Sequence, residues 1–133
     1  MHVVLATVTR KVVDSPCYSV VLPTTTGQIE VLEGHVGLLT QLATGVMRIK
    51  KSPDEVGESL VVQGGFAQVA NNQLNIVTEV AEKPAEIDVA AAKTALVATE
   101  QLLHSGGLSP EKIAAHQSQL RLNQARISVA AKQ

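Results

Sequence analysis

The chain has 133 residues, with 12 acidic against 11 basic side chains and a net charge of −1 when histidine is neutral. That balance excludes a general nucleic-acid binder, which needs a basic surface. One Phe, one Tyr and no Trp also leave no aromatic platform for single strands. No apolar run approaches the roughly 20 residues of a membrane span, and the lone Cys17 has no partner for an internal disulfide.

The length suits one domain or two small units. With so few aromatic side chains, Val, Leu, Ile and Ala must supply the core. The opening MHVVLATVTRKVVD alternates around Val3, Leu5 and Thr7 and reads as a strand, with no secretion signal or transit peptide. CYSVVLP follows, with Cys17 expected as a half-buried thiol within a strand. After TTTG come the short runs GQIEVLE, GLLTQLA, GVMRIKK, SLVVQGG, FAQVA and QLNIVTEV. KSPDEVGE, residues 51–58, is a polar hairpin loop. Asn71-Asn72 is a tight turn, because Asn tolerates positive φ. Gly64-Gly65 lacks the helix and lysine of a phosphate loop and is read as a bulge or close backbone approach. Strands this short and frequent predict an all-β sandwich or barrel.

The pattern changes at EKPAEID, a linker around Pro84. Asp88 is a predicted N-cap for a helix from Val89 to about His104, ended by Gly106-Gly107. Ser109-Pro110-Glu111 starts a second helix running to about Ala131, although Lys112 leaves the capping box incomplete. The short turn predicts an antiparallel hairpin. Its apolar faces are thin: Val89, Ala92, Leu96 and Leu103 on one helix; Ile113, Leu120 and Ile127 on the other. Each buried Leu or Ile stabilises by roughly 1.5–3 kcal/mol, against about 1–2 kcal/mol per ordered residue. Two readings stay open: a marginal hairpin with more than one arrangement, or one docked permanently on the β domain.

No catalytic constellation emerges. The four histidines, His2, His35, His104 and His116, lack metal-site spacing. Ser15, Ser19, Ser52, Ser59 and Ser105 lack a nucleophile-elbow context. Glu30 and Glu33 are either an acid–base pair or a solvated edge. No cofactor or metal is expected, and the chain does not read as an enzyme by itself.

The order of the motifs resembles the epsilon subunit family of F-type ATP synthases. LPTTTGQIEVLEGHVGLLTQLATGVMRI carries the Gly-His, Leu-Leu-Thr and Gly-x-x-x-Ile series. VVQGGFAQVANNQLNIVTEVAEK resembles the Gly-Gly-Phe strand, turn and last β-strand, and IDVAAAK the start of the helical hairpin. The resemblance spans nearly the whole chain, and its details are most similar to the cyanobacterial and chloroplast branch. It implies a β + α fold: an antiparallel β-sandwich of about ten short strands over 1–84, then a two-helix hairpin over 85–133.

It also implies a non-catalytic rotor subunit that binds the gamma subunit and the membrane c-ring. The hairpin would extend toward the alpha and beta subunits and restrain ATP hydrolysis. The position would be peripheral, on the head side of a thylakoid or bacterial membrane. Gln28, Glu30, Glu33 and His35 then fall in ring- or gamma-facing loops, with Gln28 standing where an acid is common and Glu33 where Pro is common. Arg121, Arg126 and Lys132 fall where the family sets basic residues against an acidic loop of beta. Ile87, Asp88 and Ala92 match an ATP-binding motif of some bacterial members. However, Ala91 replaces its arginine, and Ala98 and Leu122 replace two further arginines, so ATP binding is expected to be weak or absent. The competing reading is a free-standing β-sandwich binding module with a ligand-responsive hairpin.

Overall fold

The computed structural model describes residues 1–34, 37–55 and 57–131. β1 (His2–Ala6) and β2 (Lys11–Pro16) form an antiparallel pair. The opening stretch is therefore two strands rather than one. The chain reverses between them, where Thr7 N donates to Arg10 O at 2.8 Å. Next come β3 (Ser19–Thr24), β4 (Gly27–Leu32), β5 (Leu38–Gln41), β6 (Gly45–Lys50), β7 (Glu58–Gln63), β8 (Phe66–Ala70), β9 (Gln73–Val77) and β10 (Val80–Glu82). The β8–β9 turn uses Asn71 and Asn72 at φ 52° and 61°, the paired positive values of a tight hairpin turn.

The strands make two five-stranded sheets, ordered β2-β1-β9-β8-β5 and β10-β7-β6-β3-β4. Pairing is antiparallel except where β1 lies parallel to β9. Alternate residues point between the sheets. Val3, Leu5, Leu22, Met47, Leu60, Leu74 and Ile76 are almost wholly buried there. Both aromatic residues lie outside this core: Phe66 is 57% exposed and Tyr18 36%. The sandwich core is aliphatic throughout. Cys17 departs from expectation: it is buried rather than half-buried, and it sits between β2 and β3 rather than within either. Its N–H donates to Met1 O at 2.7 Å.

A 3₁₀ turn over Pro84–Glu86 leads into α1 (Val89–Ser105). Asp88 Oδ1 accepts from Ala91 N at 3.0 Å, capping α1, and Gly106 at φ 75° ends it. α2 (Pro110–Ala131) begins with Lys112 N donating to Ser109 Oγ at 3.3 Å. The helices pack together, and α2 rather than α1 makes the hairpin's main contact with the sandwich.

That contact corrects the expected face of α2. Ile113 is 37% exposed, and Leu120 and Ile127 are only half-buried. The residues that seal the helix to the sheet are Leu122, Ala125 and Val129. They meet Val61 of β7, with Val46, Val80 and Ile87 around them. On α1, Ala92 is buried as expected, and Thr99 joins it, its hydroxyl satisfied by Ala95 O at 2.8 Å. The hairpin thus lies folded against the outer face of the second sheet.

Candidate functional site

β4 separates the residues grouped by sequence. Gln28 and Glu30 alternate on its exposed side, opposite Pro23 and Val21 of β3. Glu33 lies beyond the other end of the strand, its carboxylate 3.4 Å from the Met1 amine. Gln28 and Glu33 are five residues apart along extended chain, about 16 Å at strand rise, so they belong to two patches. His35 lies outside the described residues; its neighbour Gly34 donates to Asn72 Oδ1 at 3.1 Å. With Glu33 turned to the amine and Glu30 on the strand's outer side, the two acids form no catalytic pair.

Gln28 instead shares a groove with the hairpin. It lines a groove of ≈ 830 Å³ with Thr44, Gln63, Glu79, Ser118 and Arg121. Gln63 Nε2 donates to Ser118 Oγ at 3.2 Å, fixing the middle of α2 over the end of β7. Arg121 is exposed in this groove. Lys132 lies outside the described residues.

A second pocket, ≈ 300 Å³, is lined by Ile87, Asp88, Ala91 and Ala92, facing Glu82 and Arg126. Arg126 is already engaged: Nε meets Glu82 Oε1 at 2.6 Å and Nη2 meets Oε2 at 3.3 Å. Its Nη1 donates to Asn123 Oδ1 at 3.1 Å. Nearby, Glu86 is held below the usual carboxylate range, first by the Lys83 backbone N–H and then by Arg10. The pocket therefore presents Glu82 paired with Arg126, Glu86 paired with Arg10, and Asp88 capping α1, with no free guanidinium among its lining residues. Among the described residues, no cluster of three His, Cys, Asp or Glu side chains is arranged to hold a metal.

The outer face of the first sheet carries a patch the sequence reading missed. Gln41, Phe66, Val77 and Ala6 stand in register across four strands, and Leu39 shares their face two residues from Gln41. Leu39 is 69% exposed and Val77 57%. Strand alternation alone was the signal: Val77 is out of phase with buried Ile76 and Thr78, and Leu39 with half-buried Leu38 and Thr40.

Residues 1–84 match the family model of the ATP synthase delta/epsilon chain β-sandwich domain. The chloroplastic ATP synthase epsilon chain of Porphyra purpurea is 40% identical over 121 residues, covering 91% of this chain and 88% of that one. The chain belongs to the ATP synthase epsilon-chain family. The epsilon chain of the cyanobacterium Cyanothece sp. is 38% identical over 122 residues, covering 92% and 87%. Two solved assemblies share the fold. One is the mitochondrial ATP synthase of Euglena gracilis (OSCP/F1/c-ring; TM-score 0.80, 22% identity, 98% of this chain and 80% of that one). The other is the central stalk and c-ring of the Tetrahymena thermophila enzyme (TM-score 0.61, 13% identity, 95% of each chain).

Epsilon chains are structural and regulatory stalk subunits of the ATP synthase rather than its catalytic ones. The position of Leu122 also acquires a physical meaning. Leu122, which the resemblance set at an arginine position, is 3% exposed and packs against Val61. Asp88, retained from the motif, serves as a helix cap. Glu82 and Gln63 of the sandwich and Ser118 of α2, none of them singled out from sequence, make polar ties between hairpin and sandwich, while Asn123 bonds to Arg126 and Gln119 of its own helix. No helix among the described residues is long and apolar enough to cross a membrane.

Proposed function

We propose that this chain is a rotor subunit of a proton-translocating F-type ATP synthase, peripheral to its membrane. The β-sandwich, residues 1–84, binds the gamma subunit and the c-ring, so that ring rotation turns gamma. The hairpin, residues 85–133, restrains ATP hydrolysis when it leaves the sandwich and reaches the alpha and beta subunits.

One observation carries the reading. The sandwich has two outer faces; α2 covers one, while the other presents Leu39, Phe66 and Val77 to solvent in adjoining strands. Grouped, exposed large apolar side chains on a sheet face mark a protein contact. Gamma is the partner assigned to that face, and the Gln28 end of β4 is assigned to the ring. The test is size-exclusion chromatography of the chain mixed with the gamma subunit. Co-elution that Phe66→Lys abolishes is expected. Failure of the unaltered chain to co-elute favours a free-standing binding module. For the hairpin, truncation after Pro84 is expected to raise ATP hydrolysis by the reconstituted catalytic head; an unchanged rate removes the inhibitory role and leaves coupling intact.

A further inference from the structure

We infer that Arg10, at the edge of the first sheet, fastens both β10 and the linker that follows it, so that the hairpin opens about Ile87-Asp88 while β10 stays in the sandwich.

β10 needs a fastener. It has three residues, lies at the edge of its sheet and pairs only with β7. Its side chains are divided between two neighbours. Ala81 is buried in the main core. Val80 packs with the cluster that seals α2 to the sheet, and Glu82 is tied to Arg126 of that helix. When α2 lifts, Val80 and Glu82 lose their neighbours, and the pull on Glu82 is directed out of the sheet. Held by Ala81 alone, so short a strand would leave with the helix.

Arg10 opposes that. It stands at the reversal between β1 and β2, 71 residues from Ala81. Its Nη2 donates to Ala81 O at 3.2 Å and to Glu86 Oε2 at 2.6 Å. One guanidinium thus holds the middle of β10 and the 3₁₀ turn beyond it. The reversal that carries it is braced: Thr7 N donates to Arg10 O at 2.8 Å, and Arg10 N to Thr7 Oγ1 at 3.3 Å. Glu86 is fixed from its other side, Oε1 accepting from Lys83 N at 3.2 Å. An exposed ion pair alone contributes little, and Arg10 and Glu86 are 48% and 37% exposed. The added carbonyl and the capped turn make the pair part of a charge-assisted network.

None of these partners belongs to α1 or α2, so the fastening outlasts the departure of the hairpin. Beyond it the chain is extended at Ile87 (ψ 127°) and Asp88 (ψ 101°) before α1 starts at Val89. Those two residues are the first whose torsions can change without moving a group that Arg10 holds. The fastening also joins the two sheets where each ends, since β2 and β10 are both outermost strands. The pivot is a property of the isolated chain; only its use in the assembled complex rests on the inhibitory role proposed above.

Amide hydrogen exchange of the full isolated chain through sub-denaturing urea groups amides by the opening they share. In the unaltered chain, the β10 amides should open with β7 and the rest of the sandwich, while α2 opens at lower urea. In Arg10→Gln they should open with α2 instead, roughly tenfold more often, the scale of one charge-assisted hydrogen bond. Arg10 is half-exposed on a turn, so this exchange leaves the core intact. Glu86→Gln should free the 3₁₀ turn and keep β10 with the sandwich, because the Ala81 contact remains. β10 opening with α2 in the unaltered chain overturns the inference, as does β10 staying with the sandwich in Arg10→Gln. A single common opening for α2 and the sandwich overturns it too, because there is then no pivot. Each result stands whether or not the hairpin restrains ATP hydrolysis in the complex.

Discussion

A β-carbon built on Gly65 would stand 1.9 Å from the carbonyl oxygen of Val77. Gly65 has φ +97°, and its own carbonyl receives the Leu42 N–H at 2.8 Å. The residue sits where β7 leaves the second sheet and β8 enters the first, so the glycine lets one chain segment cross against another. Gly65→Ala combines left-handed strain with a backbone clash that no rotamer relieves. The expected loss is about 3 kcal/mol or more. Gly106→Ala, also at positive φ (+75°, ψ −175°) but with nothing within 4 Å, should cost less, about 1–3 kcal/mol from backbone strain alone. Urea denaturation of both variants checks the contrast; equal losses would show that φ alone, and not the close approach, requires Gly65.

Leu122→Ala should loosen the hairpin while leaving the sandwich folded. Leu122 belongs to a small cluster with Val61, Ala125 and Val129, separate from the main core around Leu60 and Leu74. Truncating a buried leucine costs roughly 2–5 kcal/mol, a large share of so small an interface. Hydrogen exchange should rise through α2 and stay slow in β1, β8 and β9. Leu60→Ala should instead raise exchange in both sheets. A uniform rise for Leu122→Ala would mean that hairpin and sandwich unfold as one unit.

The features legible in the sequence were those with local causes. Asn71-Asn72, Asp88 and Ser109 each solve a problem within a few residues of themselves, and each appears in the structure where its chemistry put it; Gly64-Gly65 was legible as a close backbone approach, though not that Val77 is what it approaches. The buried stripe of α2 was misjudged because the helix packs on two sides. Ile113, Leu120 and Ile127 keep a seven-residue spacing that draws the eye, while the sheet is met by Leu122, Ala125 and Val129, two of which are small or β-branched. Pairings across long separations had no local signal: β1 beside β9, and Glu82 beside Arg126. The resemblance supplied the family, but it assigned Arg126 to a partner and said nothing of Glu82.

Cys17 should be inert in the folded chain. Burial pushes its thiol above its ordinary range; the Met1 amine pulls it down by less, and Glu33 pushes it up slightly. The folded value therefore exceeds the unfolded one. Below the unfolded value the associated stability is intact, and it declines as pH rises through the folded value, because only the unfolded chain gains from releasing the proton. Labelling by a disulfide reagent at mildly alkaline pH should be slower than in denaturant by on the order of a hundredfold, since attack awaits an opening of the fold. The denaturation midpoint should fall as pH rises above the ordinary thiol value of about 8.5, less steeply in Cys17→Ala. Prompt labelling of the native protein would contradict this.

Calorimetric titration with ATP should give little or no heat. A triphosphate entering the pocket at Ile87 and Ala92 would approach Glu82, Glu86 and Asp88, while the nearest guanidinium, Arg126, is already paired. Ala91 supplies no donor, and Leu122 is shut behind the helix against the sheet. A charged phosphate needs counter-charge and donors in place before it sheds water. Ala91→Arg alone should therefore restore little, because the acidic wall remains and Glu82 still holds Arg126. Ala91→Arg with Glu82→Gln should bind more tightly than either single variant, by freeing one cation and adding another. A sub-micromolar dissociation constant for the unaltered chain would refute the electrostatic account. Equal affinities for the single and double variants would show that Glu82 is not what withholds Arg126 from phosphate.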